Sequence, residues 1–561
     1  MSKNISALSF RKGIEKNYFE RMVDAAEETG TAETTETVKS LADEYLVGEA
    51  ITLGAVSFYD FLKKENEGKK VFLCNGSACL CAGTQDQLQT DIESHFPKEE
   101  IGHICCLGRC HEGGAFHYED QNFSGLESGA LENLFKNGEG DSSDNYAVGT
   151  NLPTPVLTAD FPGIESYYAP FKKLIADNDR DALFEELKVS KLRGRGGAGF
   201  PLSFKWQSCR DVPNNPKYIV CNADEGDPGA YIDKYLMEKQ PHAVLYGMMV
   251  AGWFAGSEVG ILYIRKEYPD SITIINKAIE DLHAAGLLGD DICGSGFNFK
   301  LKTVKGAGAY ICGEETALLA SLEGARPEVR VRPPFPTVEG LFRKPTIVNN
   351  VETFANIPFI VESGGDAFAS IGTPDSTGPK LVSLDANFNT PGIYEVAMGT
   401  PVTEVVEDLG GGFKVPVKAI QVGGPLGGIV PTEKIKELSI DFESFKNGGF
   451  LLGHAGIVSI PESFPMIRYI EHMFEFTGDE SCGKCFPCRL GSVRGKELAQ
   501  KAQNEDYKID PVLMQDLLNT MQFTSLCALG GGVPLPIQNA LQYFEDELKQ
   551  YFQGETTQAP A

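Results

Sequence analysis

The stretch Gly194-Arg195-Gly196-Gly197-Ala198-Gly199-Phe200-Pro201, with Lys205 just beyond it, constrains this chain more than any other. Four glycines in six positions free the backbone to take positive φ and to bring its N–H groups against a bulky ligand. Successive amides in such a loop make an anion-binding concavity, and a nearby lysine adds a point charge. A phosphate-bearing group suits it.

The loop contains G-x-G-x-x-G at Gly194, Gly196 and Gly199. The dinucleotide fingerprint of that form needs a buried strand before it and a helix after it. Here Asp181 to Leu187 reads as an amphipathic helix, and Phe200-Pro201 follows the last glycine at once. The fingerprint context fails, and the pattern alone is more often the mark of a plain turn than of a cofactor site. What favours a cofactor is the company the loop keeps downstream.

At 561 residues the chain has room for roughly three to five domains. Its net charge of −28 argues against nucleic acid or an anionic membrane surface as partner, since both repel an acidic protein. No apolar run approaches the ~18–20 residues that span a bilayer, and Met-Ser-Lys-Asn-Ile-Ser lacks a signal-peptide core. The expectation is a cytoplasmic protein that reaches a membrane only through partners.

Six of the fourteen cysteines fall between Cys74 and Cys110, and four more at Cys482, Cys485, Cys488 and Cys527. Short clustered spacings without a secretion signal favour metal or cluster ligation over disulfides. The isolated Cys209, Cys221, Cys293 and Cys312 read as small buried hydrophobes.

In chain order, residues 1–68 read as a helical bundle, with apolar residues at three- and four-residue steps over Phe10 to Glu28 and Val38 to Leu46. Within 69–135, Lys69 to Cys74 is a short strand delivering Cys74 to a loop, and the cysteines pair as Cys74-x4-Cys79 and Cys106-x3-Cys110. Two close pairs suit a [2Fe–2S] cluster, one pair per iron; zinc is the other reading. Cys81 and Cys105 flank the pairs, so either set of ligands can shift by one cysteine.

Residues 136–165 form a polar linker. Over 166–365, Tyr218 to Cys221 and Gly260 to Ile264 are buried strands separated by a helix (His242 to Gly252), a βαβ-like alternation. The first strand runs into Asn222-Ala223-Asp224-Glu225-Gly226-Asp227, and strand ends are where α/β folds place ligands. A second glycine loop, Gly306-Ala307-Gly308-Ala309-Tyr310-Ile311-Cys312-Gly313-Glu314-Glu315, opens a helix whose N-terminus suits an anion or polar group. Glu314 and Glu315 also suit that helix end by charge alone. Phe335, in a proline-rich turn, can face a planar ring, and Asn349-Asn350 offer amides matching a heterocycle's edge. Residues 366–440 read as a small β-rich domain, and 441–552 as helices carrying C-x2-C-x2-C at Cys482, Cys485 and Cys488, with Cys527 as fourth ligand of a [4Fe–4S] cluster. The polar tail 553–561 reads as disordered.

Taken together, Leu192 to Pro201, Cys221 to Glu225, Gly306 to Leu319, Pro333 to Pro336, Val348 to Thr353 and Glu480 to Cys485 resemble the NADH-oxidising flavoprotein subunit of respiratory complex I and its relatives. Those relatives include diaphorase subunits of NAD-reducing hydrogenases and β subunits of NAD-dependent formate dehydrogenases. The resemblance covers roughly residues 165–550. The front of the chain, with Gly54 to Tyr59 and its cysteine pairs, resembles the companion thioredoxin-like [2Fe–2S] subunit, fused here in one polypeptide.

The resemblance implies a multidomain α/β protein: N-terminal helices, a thioredoxin-like [2Fe–2S] domain, a Rossmann-like FMN/NADH domain, a β-grasp-like domain and a helical [4Fe–4S] domain. It places Gly194, Arg195, Gly196, Gly197 and Lys205 on the FMN phosphate side. Asn222, Asp224, Glu225, Gly226, Tyr310, Gly313, Glu314, Asn349, Asn350 and Thr353 surround the flavin. Phe200, Lys205, Asp227, Glu315 and Phe335 fall to NADH. Asp227 stands where complex I subunits usually carry a glutamate, one methylene longer.

The implied activity is that of an NADH dehydrogenase or diaphorase: hydride exchange between NADH and FMN, then single-electron transfer through [4Fe–4S] and [2Fe–2S] to partner subunits of a hetero-oligomeric redox complex. No side chain is required as acid or base at the hydride step. The parent enzyme, be it formate dehydrogenase, hydrogenase or another reductase, stays open. The competing expectation is a redox-inactive scaffold or zinc-bearing assembly subunit.

Overall fold

A computed structural model describes residues 17–554. The start of the first expected helix, Phe10 to Lys16, and most of the expected tail lie outside that span.

Three sheets organise the chain. The first comprises β1 (Val71–Cys74), β2 (Ile101–Ile104), β3 (Phe116–Tyr118) and β4 (Gln121–Phe123) in the order β2-β1-β3-β4. β1 and β2 run parallel, joined through helices Ser77–Ala82 and Gln85–Glu93, while β3 and β4 are antiparallel. Val71, Leu73 and Phe116 bury against Leu88, Ile92, Leu131 and Leu134 of the flanking helices. Every residue of β1 is buried, so Cys74 emerges from the core into the loop it begins.

Beyond β5 (Ala147–Thr150) the chain builds a wholly parallel sheet from β6 (Tyr218–Ala223), β7 (Val259–Ile264), β8 (Lys300–Lys305) and β9 (Thr346–Asn350), ordered β8-β7-β6-β9. The near-continuous apolar runs of β6 and β7 follow from burial on both faces, as parallel sheets require. One face is covered by helix Pro241–Ala255, of which nearly every residue is buried. The other is covered by the N-terminal helices Tyr18–Thr29 and Thr35–Tyr45, whose Tyr18, Phe19, Met22 and Leu41 share a cluster with Tyr218, Val220, Ile261 and Tyr263.

The front helices therefore do not pack as a bundle of their own. Asn17 Nδ2 donates to the Leu322 carbonyl at 2.6 Å, and Tyr59 donates to Ser321 Oγ at 2.9 Å. Both anchors lie on the helix that follows the second glycine loop. An amphipathic stripe is visible in sequence; the surface it covers is not.

The third sheet takes β10 (Pro379–Leu384), β11 (Gly392–Ala397), β12 (Val417–Val422), β13 (Ile429–Pro431) and β14 (Gly456–Pro461) in the order β13-β12-β14-β10-β11-β5. It reaches outside residues 366–440 at both ends. β5 comes from the stretch read as a linker and pairs in parallel with β11, and β14 comes from beyond residue 440. The C-terminal helices Met466–Asp479, Phe486–Asn504 and Pro511–Thr524 pack beside it. Among the described residues no helix is long and apolar enough to cross a membrane.

Candidate functional site

The first glycine loop is a closed turn. Arg193 bridges Pro201, the Gly194 N–H donates to the Phe200 carbonyl at 2.9 Å, and Gly197 and Gly199 take φ of 117° and 58°. The loop leads straight into helix Leu202–Arg210, so the helix half of the fingerprint is present after all, and no strand precedes it. A Cβ on Gly196 would lie 2.9 Å from the Asn350 Cβ, which fixes the loop against the end of β9. The Arg195 N–H donates to Thr353 Oγ1 at 2.9 Å.

The Arg195 side chain does something else. It is buried, its Nη2 donates to the Thr377 carbonyl at 2.5 Å and its Nη1 meets Met398 Sδ at 2.9 Å. Burial lowers its pKa to about 10. Its guanidinium ties the loop to the third sheet and its N–H is engaged by Thr353, so the phosphate-side contact expected for Arg195 is replaced by a structural one.

β6 and β9 are register neighbours, pairing Cys221 with Asn349 and Asn222 with Asn350. Trp206 Nε1 holds Asn349 Oδ1 at 3.0 Å, and Asn350 Nδ2 holds Asp233 Oδ2 at 2.6 Å while its Oδ1 caps Thr353 N. Asn222 Nδ2 donates to the Gly313 carbonyl at 2.7 Å, joining β6 to the second glycine loop. Gly313 packs on Asp224: a Cβ there would meet the Asp224 carbonyl oxygen at 3.3 Å. Asp224 Oδ2 is buried without a hydrogen-bond partner, and burial holds that carboxyl well above the usual range.

Glu225 is differently engaged. Its oxygens accept from the N–H groups of Asp233 at 2.8 Å and Lys234 at 3.0 Å, at the start of helix Ile232–Lys239. Tyr268 adds a third donor at 3.2 Å. The orphan amides of a helix N-terminus absorb this carboxylate, so the flavin contact expected for it is replaced by a structural one. Gly226 lies under Tyr310, whose Cδ2 would be 2.7 Å from a Cβ at that position.

Glu314 caps helix Glu315–Leu322, accepting from Thr316 N and Ala317 N at 2.9 Å each. Glu315 instead reaches out to Arg332 at 2.8 Å and to Lys205 at 3.7 Å, joining the two loops from the solvent side. Phe200 and Phe335 are 46% and 54% exposed, large apolar rings left open beside this bridge. Asp227 accepts from the Tyr310 hydroxyl at 2.6 Å.

Tyr310 also joins the second glycine loop to the C-terminal cysteines. Its N–H donates to Glu480 at 2.8 Å, its ring meets Phe476 edge-on, and it packs in one cluster with Cys482, Cys485, Cys488 and Cys527. The Leu526 N–H points at Cys485 Sγ at 3.4 Å, and the amides of Leu529 and Gly530 reach Cys527.

The front set is similarly ringed by amides. Cys106 and Cys110 Sγ atoms are 3.6 Å apart, and the Gly229 N–H lies 3.3 Å from Cys110 Sγ. Cys74 is drawn down to about 7, first by its hydrogen bond with Cys79 and then, against burial, by the amides of Gly76, Cys106 and Leu107. Burial pushes the Cys81 thiol up, Asp385 adds to that and Lys418 opposes it, and no other thiol is among the groups that shift it. Cys105 sits between the two sets, packed against the Cys482 cluster while adjoining Cys106. Of the isolated cysteines, Cys209, Cys221 and Cys312 are buried but Cys293 is exposed. Among the described residues no three His, Cys, Asp or Glu groups are placed to hold a single metal ion.

A family model described as the Nuo51 FMN-binding domain matches residues 187–359, and one described as the NADH-ubiquinone oxidoreductase-F iron-sulfur binding region matches 468–551. An NADH-quinone oxidoreductase subunit of Rhizobium meliloti (strain 1021) is 42% identical over 386 residues, 68% of this chain and 91% of the relative. The chain belongs to the Nuo51 flavoprotein family. NAD-reducing hydrogenase HoxS subunit alpha of Cupriavidus necator is 34% identical over 522 residues, 87% of this chain and 84% of that one. A crystal structure of an NAD+-reducing [NiFe]-hydrogenase in the air-oxidized state superimposes with a TM-score of 0.84 at 26% identity, covering 96% of this chain and 94% of that one. The likeness to these two extends across the front cysteine region as well.

The residues present fit the groups the family implies. Asp224 Oδ2 is an orphaned acceptor beside two glycine-lined bends, suited to a ligand hydroxyl. The amides aimed at cysteine sulfurs suit electron-rich cluster thiolates, whose potentials such bonds tune. Trp206 and Asp233, which hold Asn349 and Asn350, and His454, whose Nε2 lies 3.1 Å from Asp227, carry no spacing signal; each is brought to these residues from a different part of the chain by the fold.

Proposed function

We propose that this chain is the NAD(H)-oxidising, FMN- and iron–sulfur-dependent subunit of a larger hetero-oligomeric redox complex. The observation that carries the reading is the joining of both glycine loops at the ends of β6 and β9, by Asn222 to Gly313 and by Lys205 to Glu315, with Tyr310 passing from that junction to the Cys482 cluster.

In this reading the amides of Gly196 and Gly197, which the loop does not spend on Phe200 or Thr353, hold the FMN phosphate, with Lys205 adding charge at the loop mouth. Asp224 accepts a hydrogen bond from the ligand, and the amides of Asn349 and Asn350 are held in place by Trp206 and Asp233. Phe200, Phe335, Glu315 and Asp227 receive the dinucleotide. Bound FMN supplies a hydride acceptor that can give electrons up singly, and the clusters supply one-electron carriers. Cys482, Cys485, Cys488 and Cys527 would hold [4Fe–4S], and Cys74, Cys79, Cys106 and Cys110 would hold [2Fe–2S].

The finer architecture is part of the proposal. The β2-β1-β3-β4 sheet with its helices is read as thioredoxin-like, the parallel sheet as Rossmann-like and the third as β-grasp-like. A cytoplasmic setting fits the acidic surface, and NAD-reducing hydrogenase is the parent complex that the full-length likeness favours.

The test is anaerobic purification followed by absorbance spectroscopy. A brown protein with flavin bands that NADH bleaches supports the proposal; a colourless, zinc-loaded protein would end it.

A further inference from the structure

Asp227 stands where the resemblance to complex I subunits implies a glutamate, one methylene longer, and the structure shows what surrounds it. Its Oδ1 accepts from the Tyr310 hydroxyl at 2.6 Å, and its Oδ2 lies 3.1 Å from His454 Nε2. The second contact is a close electrostatic one, not an aligned hydrogen bond, because the buried Nε2 has no partner of good geometry. Gly424 closes the remaining side: a Cβ there would stand 2.7 Å from Asp227 Cγ.

His454 is itself fixed. Its Nδ1 accepts from the Gly456 N–H at 2.9 Å, which leaves Nε2, the atom that faces Asp227, to carry the ring proton. The turn that presents it is strained, with Gly453 at φ 56° and Ala455, a non-glycine residue, at φ 68°. Strain of this kind collects at ligand clamps and must be held by its surroundings. The same turn touches the first glycine loop, where a Cβ on Gly197 would meet the Gly453 Cα at 3.8 Å. One short turn thus contacts the loop and the acid together.

We propose that His454 is a positioning residue for dinucleotide binding: with Tyr310 it clamps the short Asp227 carboxylate, and a longer glutamate there requires a smaller residue at 454. The claim rests on the reading of this site as the NAD(H) site. It adds no redox or proton-transfer step. His454 acts through Asp227, and its Nε2–H supplies the reach that the missing methylene gives up.

The experiment compares full-length, cofactor-loaded wild type with His454→Leu, His454→Gln, Asp227→Glu, His454→Ser and the double variant Asp227→Glu/His454→Ser. Flavin content and melting temperature are checked for each. Equilibrium binding of NAD+ to the oxidised protein is measured by calorimetry, alongside NADH KM and kcat with ferricyanide as acceptor. The expectation is about a tenfold weaker NAD+ Kd for His454→Leu, with kcat within about twofold, and near-wild-type binding for His454→Gln, which keeps a donor at that reach. Asp227→Glu weakens binding about tenfold, and the added His454→Ser restores most of it. Unchanged binding by His454→Leu, or a double variant as weak as the two single losses multiplied, overturns the inference. If His454→Leu does not fold, the Asp227→Glu pair alone decides. Failure of wild type to bind NAD+ overturns the functional reading and this inference with it, whereas wild-type binding with indifferent variants overturns this inference alone.

Discussion

Lys205 Nζ stands 3.7 Å from Glu315 Oε2, and Glu315 Oε1 stands 2.8 Å from Arg332, so one carboxylate holds two cations at the mouth between the glycine loops. The Lys205 and Glu315 side chains are 22% and 23% exposed, and a pair this open contributes less than about 1 kcal/mol to folding. Lys205 Nζ also donates to the Val348 carbonyl at 2.9 Å, so Lys205→Met should lower the melting temperature by no more than about 4 °C while raising NADH KM roughly tenfold. A lowered melting point with an unchanged KM would assign the lysine to scaffolding.

The two glycines flanking Arg195 should behave differently. A Cβ at 196 meets the Asn350 Cβ at 2.9 Å, and neither atom can swing aside; at 194 the nearest atom is the Phe200 carbonyl at 3.7 Å. Gly196→Ala is expected to push β9's end outward, cost about 1–3 kcal/mol and reduce flavin retention at least tenfold, whereas Gly194→Ala is tolerated. Flavin released on gel filtration, with chemical denaturation, checks both.

Much of this site is legible in the residues alone, and the reasons are physical. Four short cysteine spacings, two glycine-rich bends and the apolar runs of β6 and β7 each reflect a constraint acting over a few neighbouring residues. Long-range choices escape such a reading. His454 sits in a glycine turn far along the chain from Asp227, and nothing local marks their meeting. Glu225, adjacent to Asp224, is conscripted by amides eight and nine residues later. The front helices show which face is apolar but not that β6 and β7 will lie beneath it. Ala147-Val148-Gly149-Thr150 is too short, and broken by a glycine, to announce a strand; pairing with β11 makes it one.

The ligand choice among the front cysteines can be settled by serine substitution. Cys81 feels the charges of Asp385 and Lys418, with no other thiol among the groups that shift it, so Cys81→Ser should leave iron and acid-labile sulfide unchanged. Cys110→Ser should lose the two irons of one cluster, and Cys527→Ser the four of the other. Iron analysis with electron paramagnetic resonance of the reduced protein distinguishes these outcomes.

Asp385 gives a pH dependence of defined sign. It accepts from Ser459 N at 2.7 Å, Ser459 Oγ at 2.9 Å and Asn387 N at 3.1 Å, yet burial outweighs these donors and raises its pKa from 3.8 to about 7. Below pH 4 the group is protonated folded or unfolded and adds no slope. Between pH 4 and 7 the unfolded chain ionises freely while the folded chain keeps the proton, so stability falls as pH rises, by up to about 1.4 kcal/mol per unit. Above pH 7 the loss is complete. Asp385→Asn should remove that share of the slope, seen as a wild-type melting temperature that declines more steeply than the variant's from pH 5 to 7.

The pairing of β5 with β11 has a consequence for how such a protein can be divided. Were the front quarter supplied as a separate polypeptide, severed within the polar stretch before Tyr146, β5 would stay with the larger fragment and keep its seat. Severed after Thr150, the cut would strip β11 of its outer neighbour and leave a row of bare amides and carbonyls open to any passing chain. The position of that single strand thus decides which subunit boundary a split ancestor or an engineered two-chain version can tolerate without sticking to itself.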